Sequence, residues 1–165
     1  IKHLCNTSAI KRHPSLQFEM VRLGIGLYGI DALGKPENVT TLKTTIAQIK
    51  HVRKGESVGY GRKAFLSRDS LIATVRIGYA DGYSRALGNG KGCMYVNGQF
   101  APVVGNVCMD MTMLDITGID ANEGDSVEVF GANLSVAKIA EWSNTIPYEV
   151  LTNISQRVKR VYYEE

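Results

Sequence analysis

The sequence predicts a mainly β domain of short antiparallel strands, preceded by a smaller segment of different texture. Three observations carry that expectation. Short runs rich in β-branched and apolar residues recur beyond residue 40, and runs of that kind read as strands. Turn residues punctuate them, with 17 glycines against four prolines. Between two such runs stands Asn97-Gly98, a pair that favours the primed turn whose twist matches that of a hairpin.

The elements follow in chain order. Lys2 to Asn6 reads as a short buried strand ending in polar groups, and Ser15 to Phe18 as part of a helix. Val21 to Ile30 is apolar but broken by Gly24, Gly26 and Gly29. Glycines so spaced either let backbone amides approach a ligand or let a strand pack tightly on a helix. Asp31 to Thr40 is polar, carries Gly34 and Pro36, and reads as a linker. Beyond it come strands at Thr44 to Val52, Leu71 to Gly78, Cys93 to Val96, Gln99 to Val104, Met111 to Ile116 and Ser126 to Phe130. Lys54-Gly55-Glu56 is a turn, and Glu123-Gly124-Asp125 leads into the strand at Ser126. One helix is expected after the linker, Val136 to Trp142, with Ser135 as its N-cap. Its apolar stripe is Val136, Ile139, Ala140 and Trp142. Tyr148 to Leu151 and Val158 to Tyr163 read as closing strands.

Composition narrows the function classes. The 165 residues are 44% hydrophobic and 21% charged, a globular balance rather than that of a disordered chain. The net charge of +3 comes from scattered Lys and Arg, without the clustered patch that nucleic acid demands. No apolar run approaches the ~20 residues of a membrane-spanning helix. Cys5, Cys93 and Cys108 are odd in number and far apart, which suits neither a disulfide framework nor a zinc site. Reduced thiols in the cytoplasm are the expectation. His3, His13 and His51 have no carboxylate at metal-ligand spacing, so no metal is expected. The chain opens at Ile1 without methionine and is read as the C-terminal part of a longer polypeptide.

Chemistry is expected on three glycine-framed islands. In Gly59-Tyr60-Gly61 a tyrosine sits in a sterically open position. A phenol is a poor base unless a neighbouring positive charge lowers its pKa, and a packing tyrosine at a strand start is the other reading. Ile77 to Arg85 packs Tyr79, Asp81, Tyr83 and Arg85 into one loop after a strand. Its arginine can hold a carboxylate through its fork of donors; alternatively, the loop is an Asp-Gly turn with solvated charges. Val104 to Met111 contains Cys108, a small apolar residue rather than a nucleophile, because no activating partner is in view. The Met109-Asp110 pair presents a backbone amide at a strand end. The phosphate-loop and Gly-x-Ser-x-Gly motifs are absent, and Gly24-Ile25-Gly26 lacks the later glycine of a dinucleotide fingerprint.

Taken in order, the islands form a pattern. His3-Leu-Cys-Asn6-Thr7 is followed by Met20-Val-Arg22-Leu-Gly24-Ile25-Gly-Leu-Tyr28-Gly29. Then come Gly59-Tyr60-Gly61, Ile77-Gly-Tyr79-Ala-Asp-Gly82, Pro102-Val-Val-Gly105-Asn-Val-Cys-Met109-Asp110 and Ile154-Ser-Gln156-Arg157-Val158. This ordered set, spread over nearly the whole chain, resembles the C-terminal half of alanine racemase, a pyridoxal 5′-phosphate enzyme. The stretches around Arg22 and Arg157 resemble most the Bacteroidetes type, often fused behind a peptidoglycan-precursor ligase of the MurF kind.

The resemblance implies a (β/α)8 barrel followed by a β domain, so that residues 1–40 are the end of the barrel and residues 41–165 the β domain. It implies a head-to-tail homodimer in which each site joins one subunit's barrel to the other's β domain. Asn6 and Thr7 match phosphate-site residues, Thr7 replacing the more usual Ser, and Gly24 and Ile25 match amides that hold the phosphate. Arg22 matches the arginine facing the pyridine nitrogen, with His3 behind it; an always-charged guanidinium keeps that nitrogen unprotonated. Tyr60 matches the base for the L-amino acid, and the opposite base is the cofactor lysine of the barrel's first strands, which these residues do not include. Tyr79 and Arg85 match the entry corridor, and the Met109 amide matches a substrate-carboxylate contact. Asn106 stands where some members carry a corridor arginine. Gln156 stands where some place a tyrosine near the phosphate and the substrate side chain. The implied function is interconversion of L- and D-alanine, supplying D-alanine for peptidoglycan. A serine or broad-specificity racemase is the alternative within the fold, and a non-catalytic binding or dimerisation module is the alternative outside it. These residues alone, without the lysine, are expected to be inactive.

Overall fold

The computed structural model describes residues 1–30 and 39–163. Most of the expected linker, residues 31–40, lies outside the described residues. The chain divides into two compact units, Ile1–Thr41 and Leu42–Glu165.

In the first unit, strand β1 (His3–Asn6) leads directly into helix α1 (Thr7–Arg12). The Asn6 side chain caps α1 by accepting from the Ala9 N–H at 3.1 Å. Strand β2 (Met20–Arg22) then pairs with β1 in parallel, His3 opposite Met20 and Asn6 opposite Arg22. Parallel neighbours need a crossover connection, and α1 lies in it. The unit departs from expectation in two respects. Of β1 only Cys5 is buried; its thiol donates to the Leu16 carbonyl at 3.2 Å. The helix expected at Ser15 to Phe18 is a single 3₁₀ turn, Pro14–Leu16. Proline opens that turn with its φ already set, and the left-handed backbone of Phe18 (φ 49°) ends it.

The second unit is a six-stranded antiparallel sheet, as its alternating and β-branched runs require. Its strands are β3 (Leu42–Val52), β6 (Ser70–Val75), β7 (Cys93–Val96), β8 (Gln99–Pro102), β9 (Thr112–Asp115) and β10 (Ser126–Phe130). Between β3 and β6 lies a separate small hairpin, β4 (Ser57–Val58) with β5 (Ala64–Phe65). The spatial order is β8-β7-β10-β3-β6-β9. The edges approach each other: Val103, just past β8, bridges to Leu114 of β9, so the sheet nearly closes on itself. Met94, Val96, Ala101, Leu114, Val127 and Val129 are buried along these strands and supply the core. The β7–β8 hairpin turns at Asn97 (φ 42°) and Gly98 (φ 89°), the left-handed pair that a two-residue primed turn needs.

Helix α2 (Val136–Trp142) has the expected bounds, and the Ser135 hydroxyl caps it by accepting from the Lys138 N–H at 3.2 Å. Val136, Ile139 and Ala140 are buried, and the Val136 and Ile139 side chains each contribute roughly 1.5–3 kcal/mol by leaving water. Trp142 is half-buried. Two expected strands do not form. Tyr148 to Leu151 belongs to helix α3 (Pro147–Thr152), which begins on a proline, the residue that loses nothing at a first helical position. Val158 to Tyr163 pairs with no described strand, and Val161, Tyr162 and Tyr163 stand exposed. Among the described residues, no helix is long and apolar enough to cross a membrane.

Candidate functional site

The first unit gathers main-chain donors around one hydroxyl. Thr7, the first residue of α1, is buried. Its Oγ1 accepts from the Gly24 N–H at 3.0 Å and from the Gly26 N–H at 3.5 Å. This ties the start of α1 to the glycine-rich turn after β2, where a 3₁₀ turn runs Ile25–Tyr28. Ile25 is buried and anchors that turn. These contacts pack the glycine turn closely against the start of α1, which is the second of the two readings of the glycines. Arg22, exposed at the end of β2, donates from Nη2 to the Leu4 carbonyl at 3.0 Å, fixing its guanidinium on β1. His3 is also exposed on β1, opposite Met20. Asn6 spends its side-chain oxygen on the helix cap. The set combines amides, a hydroxyl and a permanent cation, a chemistry that suits an anion.

The second unit places its candidate side chains on loops fixed to the sheet. Tyr60 opens a 3₁₀ turn between Gly59 (φ 76°) and Gly61 (φ 73°), both left-handed. A side chain at Gly59 would also press on the Met113 methyl, 2.8 Å from where its Cβ would lie. The phenol is 79% exposed, which removes the reading of Tyr60 as a packing residue. Its backbone is nonetheless held: the Asn106 side chain donates to the Tyr60 carbonyl at 3.3 Å and accepts from Asn89 Nδ2 at 3.1 Å. Asn106 thus connects the Tyr60 turn to the loop that carries Met109.

The loop after β6 is built around Gly78. A Cβ there would collide with the Cys108 and Met109 carbonyl oxygens. That close approach lets the Tyr79 N–H reach the Cys108 carbonyl and the Ala80 N–H reach the Met109 carbonyl, each at 3.0 Å. The Asp81 carboxylate folds back to accept from the Gly78 N–H at 2.9 Å. The Arg85 guanidinium lies 5.7 Å from the centre of the Tyr79 ring, a cation–π contact that orients both. The loop's two tyrosines part company. Tyr79 is partly exposed, whereas Tyr83 is buried with a hydroxyl that meets no partner among the described residues. Burial first, and Cys93 second, pushes the Tyr83 hydroxyl far above its ordinary pKa, so it serves packing and stays protonated.

Met109 is exposed, and its carbonyl is committed to Ala80. Its own N–H donates to no described residue, while the neighbouring Cys108 N–H is used on the Met111 carbonyl at 2.9 Å. A free amide next to an occupied one is available to a carboxylate at this strand end. Cys108 is half-buried beside the small cluster of Val58, Ile72 and Met113, and all three cysteines are free thiols.

One group in this unit had no assigned role in the sequence. Arg157 donates from Nε to Asp81 at 2.7 Å and from Nη2 to Asp110 at 2.6 Å. The Asp81 bond first, then the Asp110 bond, pushes the guanidinium pKa further up. The partners lie 76 and 47 positions away, beyond any local pattern. Gln156 beside it is exposed.

A family model described as "Alanine racemase, C-terminal domain" matches residues 39–162. Alanine racemase 1 of Clostridium acetobutylicum is 42% identical, over 98% of this chain and 45% of its own length. The alanine racemase of Clostridium novyi is 45% identical with the same coverage. Among solved structures, alanine racemase from Bartonella henselae with covalently bound pyridoxal phosphate has a TM-score of 0.90 at 35% identity, over 96% of this chain and 46% of that one. Alanine racemase from the D-cycloserine producer Streptomyces lavendulae reaches 0.93 at 30% identity, over 100% and 46%. The chain spans about half the length of the relatives it matches.

Proposed function

The chain belongs to the alanine racemase family, and from that premise we propose that it is the C-terminal part of a pyridoxal phosphate-dependent racemase interconverting L- and D-alanine. One observation carries the reading above the others. The Tyr60 phenol stands in the open on a turn whose backbone is pinned by Asn106, on the loop that also presents the free Met109 amide.

The first unit, proposed as the end of a barrel, fits the cofactor's phosphate. Thr7 binds the Gly24 amide through its oxygen, leaving its O–H to donate, and no carboxylate takes part in that contact. Thr7 through its O–H and Ile25 through its N–H would hold the phosphate, with the Gly24 amide orienting the Thr7 hydroxyl and Asn6 at the helix start. Arg22, backed by His3, would face the ring nitrogen. Pyridoxal phosphate, when bound, supplies the electron sink that makes Cα acidic. In the second unit, the Met109 N–H takes the substrate carboxylate. Tyr79 and Arg85 line the approach, and Gln156 borders the substrate side chain. Tyr60 accepts the Cα proton from the L-isomer and returns one from the same face. The opposite face needs a second acid–base group, assigned by resemblance to a lysine of the barrel's first strands. These 165 residues alone are therefore inactive. In this reading the β domain acts on the cofactor of a second subunit in a head-to-tail homodimer, and the D-alanine formed feeds peptidoglycan synthesis.

Tyr60→Phe in the complete polypeptide is the test. The phenyl ring keeps the turn but lacks the oxygen. Conversion of L- to D-alanine falls on the order of 10³-fold while cofactor absorbance is retained. Near-normal conversion removes Tyr60 from the chemistry.

A further inference from the structure

We infer that Arg157 is a positioning residue, clamping the Tyr79 loop to the Met109 loop and so fixing where the Met109 amide meets a substrate carboxylate. The inference rests on the role proposed above for Met109.

The Arg157 guanidinium is rigid and planar. Its planar fork offers donors in fixed, divergent directions, and here two of them serve two different loops: Nε reaches Asp81 at 2.7 Å and Nη2 reaches Asp110 at 2.6 Å. Asp81 ends the 3₁₀ turn that starts at Tyr79, and Asp110 directly follows Met109. A lysine, as a point charge, cannot reproduce two divergent bonds of that geometry.

The main chain around the clamp is already close-packed. The Ser155 N–H donates to the Asp81 carbonyl at 3.0 Å, so the segment bearing Arg157 is attached to the Tyr79 loop by its backbone. A Cβ at Gly82 would collide with the Asn153 carbonyl oxygen. On the Met109 side, among the described residues, only the Tyr79 and Ala80 amides hold the two loops together through the main chain. Asp110 itself is tethered by the guanidinium. Without Arg157, two like charges on adjoining loops would be left to repel.

Exposure decides what the clamp is for. The Arg157 and Asp110 side chains are 46% and 55% exposed, and ion pairs so exposed contribute little to folding stability. Asp81, at 15%, is the sheltered partner and also holds the Gly78 N–H. The consequence falls on the geometry of the Met109 loop rather than on whether the domain folds. Tyr60 lies on a separate turn that is tied to this loop through Asn106, four positions before Asp110, so its proton transfer is affected less than carboxylate binding at Met109.

The experiment compares the complete, cofactor-loaded polypeptide with Arg157→Lys, Asp110→Asn and the double variant. Two readouts are taken: KM and kcat for L-alanine, and hydrogen exchange at the Tyr79 and Ala80 amides. Arg157→Lys raises KM about tenfold, equivalent to one charge-assisted contact, with kcat changed less than about twofold. Exchange at both amides quickens. Asp110→Asn shifts both readouts in the same direction, and the double variant adds little to Arg157→Lys, since both changes break one contact. Unchanged KM, a fall in kcat alone, or unaltered exchange overturns the clamp. If the unmodified polypeptide does not racemise alanine, the functional reading fails by itself. Exchange then decides the clamp alone, upheld if Arg157→Lys quickens it and overturned if it does not.

Discussion

The two units present polar groups in opposite ways. In Ile1–Thr41, main-chain amides converge on the buried hydroxyl of Thr7. In Leu42–Glu165, exposed side chains stand on loops that are locked to one another by carbonyl contacts at Gly78 and by the Arg157 fork. Main-chain donors are sufficient for a group that only has to be held, because every amide is alike and one turn supplies several. A group that must transfer a proton needs a specific side chain at a set height, and a main-chain donor that must meet one substrate atom, as proposed for Met109, needs its loop held in place; the sheet with its interlocked loops provides both.

The comparison breaks most readily at Gly78. Replacing it with alanine forces a methyl against the Cys108 and Met109 carbonyls, at a cost of about 3 kcal/mol. Urea unfolding of the complete polypeptide should show that loss together with weaker alanine binding. A neutral Gly78→Ala would mean that the loops are not locked at that point.

The first unit gives the next effect. Thr7→Val removes the acceptor of the Gly24 N–H, and an unsatisfied buried donor costs about 1–3 kcal/mol. Cofactor titration should show weaker binding, while Tyr79 and Ala80 exchange stays as it was. Unchanged cofactor affinity would separate Thr7 from the cradle.

The smallest effect sharpens the contrast by marking what the second unit does not depend on. Burial pushes the Asp115 carboxyl up, but hydrogen bonds from Thr117 and Arg68 outweigh it and hold it below the ordinary carboxylate range. Because the folded pKa is depressed, the stabilisation is present above the unfolded value and is lost as pH falls through the folded one. Asp115→Asn should therefore flatten the acid side of the stability profile by about 0.5 kcal/mol, given that Arg68 is 62% exposed, and leave activity unchanged. A larger loss at neutral pH would show that the pair supports the core.

Much of this arrangement was legible in the sequence, for reasons that differ by element. The Asn97-Gly98 hairpin, α2 with its Ser135 cap and the long strand β3 declare themselves through local chemistry. Helix α3 does not, because six residues are too few for a helical period to stand apart from an apolar run. Val158 to Tyr163 has strand composition, but a strand also needs a neighbour with unpaired edges, which no local pattern states. The exposure of Tyr60 follows from its flanking glycines. The opposite orientations of Tyr79 and Tyr83 do not follow from their shared loop. Arg157, Asp81 and Asp110 appear in the sequence as three ordinary charges, and only the fold joins them.

Tyr60 is proposed to handle the proton on one face only. The most direct test is Cα-proton exchange with solvent deuterium in the Tyr60→Phe polypeptide, started separately from L- and D-alanine. Exchange from D-alanine is expected to persist, through the base on the other face, while exchange from L-alanine is lost. Equal retention from both isomers, or equal loss from both with cofactor still bound, would contradict that role.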